Sequence, residues 1–340
     1  MKIATFNVEW FCSCFGDQWK KWDGTIPPSF SGKKAGGIVL APVRDVPGLC
    51  QRIAGVVNDV NADVIGIQEG PPLKAQMELF VSTYLQGRYV VYQSNERRQS
   101  VYALVRKDLS NSVTQIFPVD PLLSSDFFYY PWLGYRPGDR KRHHFDRVPL
   151  VLQLGSGGPE LVIVHTKSKF SKLHTKEQWD RRDEEAVLDA LNARQKLSGE
   201  LGQLRRYIDS WLNESNNELV VMGDFNDGPF QDLMEREFLL YDILDELVGS
   251  FLKPRSCLHH AMTPENLETA WTVRFPDPLE DGKLTEELVD HILVSSSVSV
   301  RQGSCKVETE AYDRFNSDVN HSDRGLRPSD HRPVSVVLDC

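Results

Sequence analysis

No run in the 340-residue sequence approaches the roughly 20 apolar residues of a membrane span, which argues against insertion into a membrane. Positive charge is not in surplus. The formal net charge is -9, which opposes broad, non-specific adhesion to nucleic acid. Cysteine is scarce: the 6 thiols are Cys12, Cys14, Cys50, Cys257, Cys305 and Cys340. Cys12-Ser13-Cys14 is too closely spaced for the usual zinc site, and no second pair complements it. Free thiols in a reducing cytoplasm are therefore expected. No leader precedes the first apolar run either, since Lys2 leads straight into Ile3-Ala4-Thr5-Phe6-Asn7. Linkers and low-complexity tracts are also missing, so the chain reads as one domain over 1–340.

What is present is the composition of a globular protein, 40% hydrophobic and 26% charged, with length enough for a sizeable core. Helical spacing of Leu49, Ile53, Val56, Val57 and Val60 predicts a helix over 45–60, and another is expected from Pro71-Pro72 to about Leu85. Buried strands are expected at 63–67, 89–92, 101–105, 220–222, 288–294 and 334–338. A hairpin is expected from 148–154 and 161–164. Between Thr175 and Trp211 the apolar period is helical, but an unbroken helix of that length would span roughly 55 Å. A break or kink is therefore expected at Gly199 and Gly202. Two irregular insertions remain, near 12–47 and 120–147. Strands alternating with helices in the first half and dominating the second suggest an α/β sandwich of two packed sheets flanked by helices.

The polar residues at the ends of these strands carry the functional signal. Thr5-Phe6-Asn7, Ile67-Gln68-Glu69, His165-Thr166-Lys167-Ser168, Gly223-Asp224-Phe225-Asn226, Val289-Asp290-His291 and Ser329-Asp330-His331 each follow an apolar run. Carboxylates, amides and imidazoles at such positions forfeit packing unless they converge. An oxygen-rich cluster with an imidazole suits a hard divalent cation and a phosphate ester. In this order the six motifs resemble the endonuclease/exonuclease/phosphatase superfamily, over nearly the whole chain. That resemblance implies a DNase I-like four-layer sandwich of two mixed sheets and a hydrolase dependent on Mg²⁺ or Mn²⁺.

It also implies roles. Glu69 would be the principal metal ligand, with Asn7 beside it and Asp330 near both the metal and the attacking water. Asp290 and His331 would form an acid–base pair, the carboxylate fixing the tautomer of the imidazole. Asp224 would hold or deprotonate the water and Asn226 would donate to a phosphate oxygen, both on one side of an extended backbone. Either Asp224 or His331 could be the base. His165 would bind the phosphate or protonate the leaving oxygen. It places the chain with the His-bearing branch of nucleases and sphingomyelinase-like enzymes. Leu288 stands where AP-endonucleases carry a signature Arg, and His291 follows Asp290 where inositol polyphosphate phosphatases have Asp-Arg. Both departures weaken those narrower assignments.

Substrate contacts are expected from Lys167, Lys169, Arg147 and Arg98. Other basic residues (Lys172, Lys176, Arg97, Arg136, Arg140, Lys141 and Arg142) could bind flanking phosphates if their loops rim the site. The aromatic block Phe127, Phe128, Tyr129, Tyr130, Trp132 and Tyr135 could stack bases or fill the underside of a loop. The function expected is a phosphodiesterase, a nuclease that hydrolyses DNA foremost and RNA second, by in-line attack of water. A small-molecule or lipid-headgroup phosphoesterase of the same fold is the alternative. A catalytically inactive phosphate-binding module is the third reading.

Overall fold

The computed structural model describes all residues except 17–20, 36–37, 130–138, 214–216, 240–241, 278, 280–281, 319–322 and 340. Its apolar runs form two six-stranded sheets. In the first, the strand order is Lys306–Val307, Val334–Val337, Lys2–Asn7, Val64–Gly70, Ser100–Arg106, Tyr89–Gln93. The second runs Leu258–His260, Asp290–Ser295, Leu219–Asp224, Glu160–His165, Leu150–Leu154, Val113–Gln115. Each is mixed. Lys2–Asn7 pairs in parallel with Val64–Gly70 and antiparallel with Val334–Val337, while Glu160–His165 is parallel to Leu219–Asp224.

Strand alternation sorts the side chains into layers. Ile3, Val101, Ala103, Leu161, Ile163, Val220, Met222 and Ile292 meet between the sheets. On the outer face of the first sheet, Ala4, Phe6, Ile65 and Ile67 pack with Leu49, Ile53 and Val57 of the Val46–Val60 helix. On the outer face of the second, Val162, Val164, Val221 and Leu293 pack with Leu197, Leu201, Leu204 and Ile208 of the Glu184–Leu212 helix. The result is helix, sheet, sheet, helix, the expected four layers. Gly66 lies where the sheets approach closely, since a Cβ there would sit 2.9 Å from Ile163 and 3.0 Å from Met222.

Two expectations need correction. The helix across 184–212 is unbroken at Gly199 and Gly202 and runs for 29 residues. Its interruption lies earlier, at Arg182, whose φ is 53°, and Asp183, whose side chain accepts the Ala186 N–H as an N-cap. The two glycines serve close approach instead: a Cβ on Gly199 would meet the Phe127 ring at 3.2 Å, and one on Gly202 the Glu246 carboxylate at 2.8 Å. Pro71 and Pro72 do not open the next helix, which spans Lys74–Tyr84 after Leu73. Their carbonyls accept hydrogen bonds from the Tyr102 hydroxyl and the Gln93 amide, which pins the turn after Glu69.

The irregular segment near 12–47 is not a peripheral loop. Phe11, Phe15, Phe30, Leu40 and Val43 are buried in the core beneath the first sheet. In the other irregular segment, Phe127–Tyr129 pairs with Lys141–His143. Phe127 and Tyr129 are buried, so neither offers a face for stacking bases. Phe128 is half exposed, with the Arg140 guanidinium 4.3 Å above its ring. Tyr130, Trp132, Tyr135 and Arg136 lie outside the described residues, as does Cys340. The other five cysteines are free and buried.

Candidate active site

Alternation along the strands explains why distant residues meet. Asn7 continues the inward register of Ile3 and Thr5, His165 that of Leu161 and Ile163, and Asp224 that of Val220 and Met222. Asp290 begins the register that Ile292 and Val294 continue. All four therefore face the gap between the sheets at one end of the sandwich. Glu69 is different. Simple alternation would send it outward with Ile65 and Ile67, but the register shifts between Ile67 and Gly70 and Glu69 takes a left-handed φ of 56°. Such a bulge re-aims a side chain at the cost of local strain.

Hydrogen bonds tie the group together. The Asn7 amide nitrogen donates to Asp224 Oδ2 at 2.8 Å and lies 3.4 Å from Glu69 Oε1. Glu69 Oε2 accepts the Trp10 backbone N–H at 2.6 Å. His331 Nδ1 lies 2.7 Å from Asp290 Oδ2, and its other nitrogen is 4.0 Å from Asp330. His165 Nε2 is 3.5 Å from Asp224 Oδ2. One oxygen or nitrogen each from Asp224, Asp290 and His331 falls within a 4.8 Å group.

The two imidazoles are driven in opposite directions. Burial alone would discharge His331, but the hydrogen-bonded Asp290, with Asp330 and Asp224 nearby, outweighs it and holds the ring well above its usual pKa. Burial, reinforced by Arg147, His331 and Lys167, pushes His165 well below. The contact of His165 with Asp224 is thus between a neutral ring and a carboxyl group. Burial also pushes Asp224 up to about 7, against the pull of His331. Glu69 is raised by burial and then by its neighbour Asp330. Two mutually repelling carboxyl groups are a donor set that suits a hard divalent cation.

Several predicted positions hold different contacts from those expected. The amide oxygen of Asn7 accepts the Glu9 N–H at 3.0 Å, while its nitrogen orders Asp224 and Glu69. Asn226 does not extend the strand. Its φ is 51°, its N–H donates to Asp224 Oδ1 and its amide donates to the Thr166 carbonyl at 3.1 Å. Lys169 is drawn away from any substrate rim, because its ammonium sits among Asp227, Asp232 and Glu287 at 2.7, 3.3 and 3.3 Å. Lys167 donates to its neighbour's carbonyl, and Lys172 pairs with Glu185. Arg147 holds the carbonyls of His165 and Thr166, and Arg98 lies over the Trp10 ring.

Sequence reasoning overlooked four contributors. Ser329 donates to the Asn7 carbonyl at 2.6 Å and accepts the His331 N–H, and its place in the Ser-Asp-His triplet was a usable signal. Trp10 supports Glu69 through its backbone, which no residue type announces. Arg324 donates to the Val8 and Glu9 carbonyls and Arg327 pairs with Glu9, fixing the turn that presents Trp10. Nothing local in the sequence marks that pair.

The sequence profile of the Endonuclease/Exonuclease/phosphatase family matches residues 4–331. The chain belongs to that family. No curated protein matches it in sequence. Among solved structures, a mannosyl-6-phosphatase of Bacteroides thetaiotaomicron is similar with a TM-score of 0.52 at 16% identity, over 99% of each chain. An endonuclease/exonuclease/phosphatase family protein of the same bacterium gives 0.50 at 15%, over 99% of this chain and 94% of that one. TDP2 of Caenorhabditis elegans gives 0.50 at 14%, over 99% of this chain and 73% of its own. At such identities these structures show a likeness of fold alone, the DNase I-like fold.

Proposed function

We propose that this family member is a Mg²⁺- or Mn²⁺-dependent phosphodiesterase that cleaves nucleic acid, DNA foremost, by in-line attack of water. The observation that carries this is the placement of Asp224, near neutrality in its proton affinity, between a charged His331 and an uncharged His165. Titratable groups pushed apart in this way divide acid from base roles.

Glu69 and Asp330 would hold the cation, which when bound supplies charge neutralisation and polarisation of the phosphate oxygens. Asp224 takes the proton from the attacking water. Asn7 and the Asn226 backbone N–H fix both of its oxygens, at 2.8 Å each, so the carboxylate is oriented before substrate arrives. Asp290 keeps His331 protonated and turned toward the phosphate, where the imidazolium stabilises charge developing on its oxygens. His165, neutral, hydrogen-bonds the phosphate or the leaving oxygen. Arg147 anchors the strand end that carries His165. The buried free thiols support a reducing, cytoplasmic setting.

A specific observation favours the smaller substrate as a second reading. The lysines after His165 are largely engaged by local carboxylates, so little of that basic group remains for a long polyanion. An incubation panel separates the two: single- and double-stranded DNA, RNA and p-nitrophenyl phosphoesters, each with Mg²⁺, Mn²⁺ or chelator. Glu69→Ala and His331→Ala should each lose at least about 10²-fold in rate while keeping a cooperative thermal transition. Near wild-type hydrolysis by either variant, or turnover in chelator, would overturn the assignment.

A further inference from the structure

Beside the proposed reaction centre lies a cleft of about 340 Å³ lined by Arg97, Arg98, Gln99, His144, Asp146 and Arg147. That volume falls within the roughly 300–1,000 Å³ of small-ligand sites. Three guanidinium groups against one carboxylate leave the lining positive in a chain whose net charge is -9. Asp146 itself faces His144 at 3.5 Å. Arg97 is exposed and has no ion-pair partner among the described residues, unlike Lys169, Lys172 and Arg142.

The cleft is built rather than incidental. The Ser100 hydroxyl accepts the Arg97 backbone N–H at 3.0 Å and sits 2.8 and 2.9 Å from the Asn95 and Arg97 carbonyls, so the turn presenting both arginines is fixed by a buried side chain. It also adjoins the centre. Arg147 holds the His165 and Thr166 carbonyls at 3.2 and 2.7 Å and reaches Gln99 at 3.4 Å. Arg98 lies 5.3 Å from the centre of the Trp10 ring, whose backbone N–H in turn supports Glu69.

We propose that this cleft is a second anion subsite, which takes a phosphate group flanking the scissile phosphodiester. The substrate class is then a phosphoester bearing two phosphate groups, such as a nucleotide chain cut next to a terminal phosphate. Guanidinium forks match phosphate oxygens in pairs, which a lone lysine cannot do. The subsite rests on the phosphodiesterase reading, and two measurements keep the two separable.

The first compares hydrolysis of a thymidine dinucleotide with and without a terminal phosphate, alongside bis(p-nitrophenyl) phosphate. Wild-type kcat/KM should favour the phosphorylated dinucleotide by roughly ten- to a hundredfold. Arg97→Ala should erase most of that preference while leaving bis(p-nitrophenyl) phosphate hydrolysis unchanged, and Arg97→Lys should keep part of it. Equal rates on the two dinucleotides, or an equal loss on all three substrates in Arg97→Ala, would overturn the subsite while leaving a phosphodiesterase. The second is calorimetric binding of thymidine 3′,5′-bisphosphate against the two monophosphates. If nothing is hydrolysed, the phosphodiesterase reading fails. Tighter bisphosphate binding by wild type but not by Arg97→Ala then supports the subsite, and equal binding of all three ligands removes it.

Discussion

Asp224 is the residue whose environment says most. A buried carboxyl group held near neutrality, with both oxygens already hydrogen-bonded, suits the role of base proposed for it. Such a carboxyl is inert while protonated, so kcat/KM should rise with pH through about 7 and then level off while His331 keeps its charge. A pH–rate profile in saturating Mg²⁺ checks this, and a rate with no acid limb at all would remove Asp224 from the role. Asp224→Asn should abolish the limb together with at least about 10²-fold of the rate. The identities of these side chains were legible in the sequence because each ends an apolar strand. Their orientations were not. Whether Asn7 turns its oxygen or its nitrogen to Asp224, and whether Asn226 keeps an extended φ, depends on partners such as Glu9 and Thr166 that no motif contains.

At the level of elements, period and alternation gave the long strands and helices to within a few residues, while the short edge strands Val113–Gln115, Leu258–His260 and Lys306–Val307 went unseen and the breaks were harder. Gly199 and Gly202 read as weak points in a helix because glycine adds backbone entropy to the unfolded chain. In the fold they are instead positions where the Glu184–Leu212 helix meets Phe127 and Glu246. The two should answer differently to a methyl group. At Gly202 the neighbour is the tip of a flexible Glu246 side chain, so Gly202→Ala should gain on the order of 0.5–1 kcal/mol of helix propensity. Gly66→Ala, wedged between Ile163 and Met222 in the inter-sheet core, should lose about 1–3 kcal/mol. Urea melts of both variants compare the signs, and a stabilised Gly66→Ala would mean that the sheets are free to separate. The bulge at Glu69 was invisible for a related reason. A register shift belongs to the pairing of two strands, whereas Ile67-Gln68-Glu69 shows only one of them.

Across the whole molecule, several carboxyl groups far from the centre are buried with little compensation. Glu160 lies at the opposite end of its strand from His165, accepts a hydrogen bond from the Tyr207 hydroxyl and is pushed up to about 7 by burial. In the unfolded chain it would release its proton near 4.5. The folded state therefore binds a proton that the unfolded state has lost between these values. The stability this provides is complete below about pH 4.5 and disappears as pH rises through 7. Glu160→Gln should flatten that decline and exceed wild type by on the order of 1–3 kcal/mol at pH 8. Denaturant melts at pH 5 and pH 8 test it, and a variant equally weakened at both would show that the Tyr207 contact, not charge, decides.

The strand Lys2–Asn7 completes its pairing only when Val334–Val337 lies against it, and Asn7, Glu69 and His331 must all be in place around Asp224. Asn7, Glu69 and Asp224 all precede His331 in the chain, so a ribosome has made them before it adds that imidazole. Until the segment bearing Val334–Val337 and His331 emerges, the growing polypeptide lacks both a neighbour for its first strand and one wall of the candidate site.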